Sequence, residues 1–325
     1  MPSPPPSPCP RCYRGAPHER PLPVLGAPAF PSASRRCGEP SCSALSNISL
    51  LLLTSAPARV PLLLGYTHWF AALLFLLTAA GHAPCAQCAA ALRRTPRAAC
   101  HCVREWTRLA SLEQPAAGNV SYSALRHLRY AAALRRAAAL PRTGAAGVLL
   151  AHFDFFLNVR RFHAAAYAEP WMARNGAVVL SDYDLPVPRC FRVGTAPFRD
   201  NRSWFWFDHA KPRGAAAVRA LGGAECCWEW ADILYLPRAM LDDFARLVQA
   251  FGSVHHEVAV PTSMRMLALR RNVTLRTLAC VGGAIGRMPN FNPKPASTEV
   301  SCGHRMNLSN EMHARCISRM LHDRW

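Results

Sequence analysis

The stretch from Asn47 to Ala80 constrains the fold more than any other part of this chain. NISLLLLT is a short apolar run broken by SAPARV, VPLLLGYTHWF follows with helix-compatible spacing, and AALLFLLTAA is a second apolar run. Unbroken apolar runs of this length fit strands covered on both faces, because a strand with one wet face would alternate polar and apolar residues. Strand, helix and strand within about 35 residues is the size of one βαβ unit. A rival reading takes Val60 to Gly81 as a membrane span, since those residues carry no charge and Arg59 precedes them. Gly65, Thr67 and His68 in the middle of the stretch, and the break before it, favour buried core.

The remaining elements extend an α/β pattern. Residues 1–46 are rich in Pro and Ser, lack apolar periodicity and lack the continuous apolar centre of a signal peptide, so they read as a disordered leader. SYSALRHLRYAAALRRAAAL (121–140) is an amphipathic helix stopped by Pro141. GVLLAH, GAVVL and ADILYL read as strands, the last ended by Pro237. Met240 to Phe251 reads as a helix with Asp242 and Asp243 in its first turn, where carboxylates oppose the positive end of the helix dipole. HHEVAVPT reads as a short strand, and residues 291–325 as an irregular tail, which gives one domain over 47–290.

Charge excludes less than its size suggests. The 325 residues carry a formal net charge of +19, and all but two of the 38 basic residues, Lys211 and Lys294, are arginines. Residues 1–146 hold 16 arginines against four glutamates and contain no aspartate, so every aspartate stands at Asp154 or later. The arginines are scattered in pairs, without the aromatic interleaving or module of a nucleic-acid reader, so no nucleic-acid partner is expected. Phosphate-binding GxxxxGK[ST], GxGxxG and GxSxG motifs are missing from the sequence.

Three constellations carry chemistry. GVLLAHFDFFLN ends a buried strand with His152 and Asp154, which share a face because strand side chains alternate. Ligands of α/β sheets collect beyond the carboxyl ends of strands, and a carboxylate there can hold a divalent cation that in turn holds a diphosphate. CCWEWADILYLPR puts Asp232 beside Trp228 and Trp230, the aromatic faces and acceptor oxygen that suit a sugar. HHEVAVPT offers His256 and Glu257 as base or hydroxyl anchor, without HExxH spacing because position 260 is Val. Against each stands a structural role: a turn cap for Asp154, an aromatic cluster for the tryptophans, a strand lead for Glu257. Asp182 and Asp184 form a weaker carboxylate pair. Cys85, Cys88, Cys100 and Cys102, as CxxC then CHC, are open to zinc, to disulfides or to buried thiols. Sequons stand at Asn47, Asn119, Asn201, Asn272 and Asn307, where ten Asn and the Ser/Thr content would give about one by chance. They favour the secretory pathway, Golgi or endoplasmic reticulum lumen, with Asn47 too close to a core strand to be modified.

Taken in order, the runs from LLLLTSAPARV through SYSALRHLRYAAALRRAAALPRTGAAGVLLAHFDFFLN and CCWEWADILYLPR to HHEVAVPT resemble a family of eukaryotic, fungal and algal glycosyltransferase-like proteins with the nucleotide-sugar (GT-A) fold. The likeness covers about residues 47–265. It implies a Rossmann-like mixed sheet flanked by helices, a nucleotide-sugar donor, a hydroxyl acceptor on a glycan, lipid or protein, and a Mn or Mg cation at the turn holding Asp154 and His152. That turn in the family carries two acids. Here it is His-Phe-Asp, with one carboxylate and one imidazole. The resemblance puts Asp232, Trp230 and Arg238 in the acceptor half and His256 with Glu257 at the catalytic position. The competing expectation is a non-catalytic luminal protein that keeps the fold, or a membrane-tethered one anchored through 60–81.

Overall fold

The protein is described from a computed structural model over residues 44–54, 57–77, 82–102, 146–157, 169–175, 188–200, 205–252, 254–282 and 302–304, with isolated positions between and after them. A short 3-10 turn, Ala44–Asn47, leads into β1 (Ile48–Thr54). A helical connection follows, with α1 (Val60–Leu63) and a 3-10 turn over Leu64–His68, and then β2 (Ala72–Leu77). Next come α2 (His82–Leu92), β3 (Ala98–Cys102), β4 (Gly147–His152), β5 (Phe156–Leu157), β6 (Trp171–Asn175) and β7 (Arg189–Arg192). The chain continues through α3 (Ala196–Asp200), α4 (Phe205–Ala220), β8 (Glu225–Trp228), β9 (Ile233–Pro237), α5 (Leu241–Gln249), α6 (His256–Arg271), β10 (Arg276–Gly282) and β11 (Cys302–His304).

Nine of these strands form one mixed sheet in the order β3-β2-β1-β4-β9-β6-β10-β11-β5. β1, β2, β3 and β4 are parallel neighbours, and β9 runs antiparallel between β4 and β6. The 3-2-1-4 half is the Rossmann-like arrangement of an α/β sheet, with β1 as the switch point from which the chain builds outward on both sides. β7 and β8 make a separate two-stranded ribbon.

Leucine runs become strands here because both faces of the sheet are covered. Leu51, Leu53, Leu74, Leu76, Leu150, Leu234 and Leu236 face one core, which includes Phe207, Phe244, Val248 and Met264 of α4, α5 and α6. Leu50, Leu52, Phe75, Leu149, Ile233 and Tyr235 face a second, shared with Val60, Leu63, Tyr66, Phe70 and Cys88. Truncating a leucine in such a position to alanine costs about 2–5 kcal/mol. Gly147 is required by the β4–β9 pairing, since a Cβ there would strike the Leu236 carbonyl and the Tyr235 ring. Tyr66 is fully buried, which pushes its phenol well above the ordinary tyrosine range. Its oxygen accepts the Leu157 N–H at 3.4 Å.

The strand-helix-strand reading of Asn47 to Ala80 holds, with β1 and β2 parallel in register from Ser49↔Ala72 to Thr54↔Leu77. Within Val60–Gly81 the described residues, 60–77, are divided between a helical connection and a core strand, and among the described residues no helix is long and apolar enough to cross a membrane. Strands at GVLLAH and ADILYL and the helix after Met240 also form as expected. The four clustered cysteines form disulfides, Cys85–Cys102 and Cys88–Cys100. Two expectations are corrected. HHEVAVPT is the start of a 16-residue helix rather than a strand. The C-terminal region supplies β11, parallel to β10, so the sheet extends past residue 290. Residues 1–43, most of the 121–140 helix, GAVVL, Asp182 and Asp184 lie outside the described residues.

Candidate active site

The parallel strands β1 and β4 end side by side at Thr54 and His152, and the Phe153 N–H donates to the Leu53 carbonyl to close that end. Beyond β4 the chain turns through Phe153 and Asp154. Because β9 is antiparallel to β4, the residue before β9 arrives at this same end. The His152 N–H donates to the Asp232 carbonyl at 3.0 Å, and the Phe155 ring lies 5.5 Å from that of Trp230. The turn after β4 and the loop before β9 are thus joined by one backbone bond and one ring contact at the carboxyl edge of the sheet, where α/β folds bind ligands.

α6 brings the third component. His255 caps it, its Nδ1 accepting the Glu257 N–H at 3.3 Å, and Glu257 lies in the first turn. Three ties hold this helix along β8 and the loop after it. Arg265 pairs with Glu225 at 2.9 Å. The buried Thr262 hydroxyl accepts the Cys227 N–H at 2.9 Å and donates to the Cys227 carbonyl at 3.1 Å. The Glu229 N–H donates to the Glu257 carbonyl at 3.1 Å. That carbonyl is open to Glu229 because Pro261, four residues on, has no N–H to complete the helical bond. The Cys190–Cys227 disulfide fixes β8 to β7 at directly opposed positions.

As a result Asp232, His256 and Glu257 converge, with one ligand atom of each lying within 4.8 Å of the other two. Asp232 and His256 are buried, at 3% and 4% exposure, while Glu257 is partly open. One imidazole nitrogen with carboxylate oxygens is a donor set that suits Zn²⁺ or Mn²⁺ better than Mg²⁺, which prefers oxygen alone.

His152 and Asp154 stand at the same end but are engaged with each other, His152 Nδ1 meeting Asp154 Oδ1. That contact takes up one oxygen of the only carboxylate in the turn, so the triad is the better-furnished cation set. Trp230, in the loop before β9, packs its ring against Phe155. Trp228 faces the β7 side instead, with the Arg189 guanidinium 4.8 Å from its ring centroid. Arg238 does not join the cluster: it follows β9, its N–H donating to the Ala146 carbonyl at the amino end of β4, one strand length from Asp232. Glu229, Pro261 and Thr262 position the site and were not singled out from the sequence. A proline four residues after a carboxylate in a helix is the one local signal that marks them.

Comparison of the sequence with protein-family models and with curated proteins finds no match.

Proposed function

We propose that this chain transfers a sugar from a nucleotide-diphosphate donor to a hydroxyl acceptor, as a glycosyltransferase of the GT-A type. One observation carries the reading: at the carboxyl edge of a Rossmann-like sheet, beside its switch point, a buried Asp–His pair backs a partly open glutamate. Glu257 is the member that an acceptor hydroxyl can meet, and it takes the hydroxyl proton as the oxygen attacks the anomeric carbon. His256 and Asp232 are buried beside it, within 4.8 Å, so the base stands in a fixed polar setting. Trp230, half-buried and backed by the buried Phe155 ring, offers an apolar face to the flat side of a sugar ring.

A second role for the same triad is favoured by its 4.8 Å convergence. Asp232, His256 and Glu257 fit a divalent cation, which when bound supplies positive charge against the donor's diphosphate. The His152–Asp154 turn then orients the donor rather than holding the metal.

The test is release of nucleoside diphosphate from a panel of nucleotide sugars, with Mn²⁺ and with chelator. Wild type is expected to turn over, and Glu257→Gln and Asp154→Ala to lose at least tenfold. Equal rates in all three proteins would overturn the assignment. Chelator-resistant turnover assigns Glu257 to the base role, and chelator-sensitive turnover to the cation role. Donor binding by calorimetry without turnover would favour a fold kept without activity.

A further inference from the structure

We infer that Asn47 and Asn272 are N-glycosylated, and that both glycans stand at the pole of the sheet opposite the Asp232–His256–Glu257 cluster. Each begins an Asn-x-Ser/Thr sequon, Asn47-Ile-Ser49 and Asn272-Val-Thr274, and each Asn is exposed. Asn47, which its nearness to a core strand had argued against, sits in the 3-10 turn just before β1 with its side chain outside the core. Only its carbonyl turns inward, to accept the Ala146 N–H at 2.6 Å.

Asn272 caps α6 in the left-handed region, at φ 50°, a conformation that Asn tolerates better than other non-glycine residues. Capping accounts for the asparagine alone. It does not account for the exposed Thr274 two residues later, the hydroxyl that completes the acceptor motif. Independent support comes from the disulfides Cys85–Cys102, Cys88–Cys100 and Cys190–Cys227, which belong to an oxidising compartment, where this modification also takes place.

The two sites share a pole by topology. Asn47 precedes β1 at the amino ends of the parallel strands. α6 starts at the cluster and runs 16 residues, about 24 Å, before reaching Asn272. β10 then begins at Arg276, whose N–H donates to the carbonyl of Pro170 just before β6, at that same amino end. Bulky chains at both positions therefore leave the carboxyl edge open.

In the modification, the Asn amide nitrogen bonds to the anomeric carbon of a lipid-diphosphate-linked oligosaccharide. The bond from that carbon to the diphosphate oxygen breaks, the lipid diphosphate leaves, and the amide loses one proton to the transferase.

The full chain would be expressed in cultured eukaryotic cells and treated with peptide-N-glycosidase in ¹⁸O water. Asn47 and Asn272 peptides carrying the labelled Asn-to-Asp conversion, and loss of one mobility step in each of Asn47→Gln and Asn272→Gln, are expected. Unlabelled Asn at both positions in the wild-type peptide map would overturn the inference, whether or not the variants fold and whatever the outcome of the transferase assay.

Discussion

The Glu257 carbonyl accepts the Glu229 N–H because Pro261, one helical turn further on, has no N–H to donate to it. A helix-breaking residue thus ties the start of α6 to the loop that carries Trp230 and Asp232. Pro261→Ala should separate stability from activity. Alanine is about 3 kcal/mol better than proline in a helix interior, so the melting temperature should hold or rise. The restored N–H competes for the Glu257 carbonyl and loosens the loop, so nucleoside diphosphate release should fall at least tenfold. Full turnover in a stabilised variant would show that this tie does not set the site.

Thr262 is the buried middle tie, bonded to both backbone groups of Cys227. Thr262→Val keeps the shape and leaves polar groups without that partner, which should cost about 1–3 kcal/mol. Thr262→Ser should recover most of it. Denaturant midpoints of the three proteins measure the effect.

Cys226 lies next to the disulfide-bonded Cys227 but points into the core, and burial pushes its thiol up to about 12, against smaller opposing effects from the Thr262 hydroxyl and the Lys211 ammonium. At pH 8 almost none of it is thiolate, the form that reacts. Mass-mapped alkylation of the native protein should leave Cys226 unmodified, and the same treatment in denaturant should label it.

Asp243 is held below the ordinary aspartate range by the hydrogen bond from Arg271, with Arg246 adding to it. A carboxyl depressed in the folded state contributes stability above its unfolded value of about 3.9 and loses it as pH falls through the lower folded value. Asp243→Asn should therefore lower stability at neutral pH and match wild type in strong acid. Both arginines are largely exposed, so the loss should stay below about 1 kcal/mol. Chemical unfolding across pH 2–7 tests both sign and size.

The sheet's first half was legible because β1, β2 and β4 are buried on both faces, and continuous leucine runs have few other uses. α6 was misread for a physical reason. Val258, Val260 and Pro261 all disfavour helix locally, and only burial against β8 with the Thr262 and Glu229 ties overrides them. Asp232, His256 and Glu257 were each identifiable as polar groups beside apolar runs. Their convergence was not, because it depends on β9 running antiparallel, a relationship between distant segments. The same reversal separates Asp232 from Arg238, which are neighbours in sequence and occupy opposite ends of the sheet.

Among the described residues β3 is the outermost strand on one side of the sheet, the position at which another extended chain could add. Cys85–Cys102 and Cys88–Cys100 clamp that strand to α2, the helix leading into it. The two bridges act as a guard rail against self-association as well as a fastening within the domain. Reduction frees β3 from α2 at the margin where a second molecule could add a strand, and because Cys88 lies within the core that Leu50 and Phe75 share, losing these bonds loosens margin and core together.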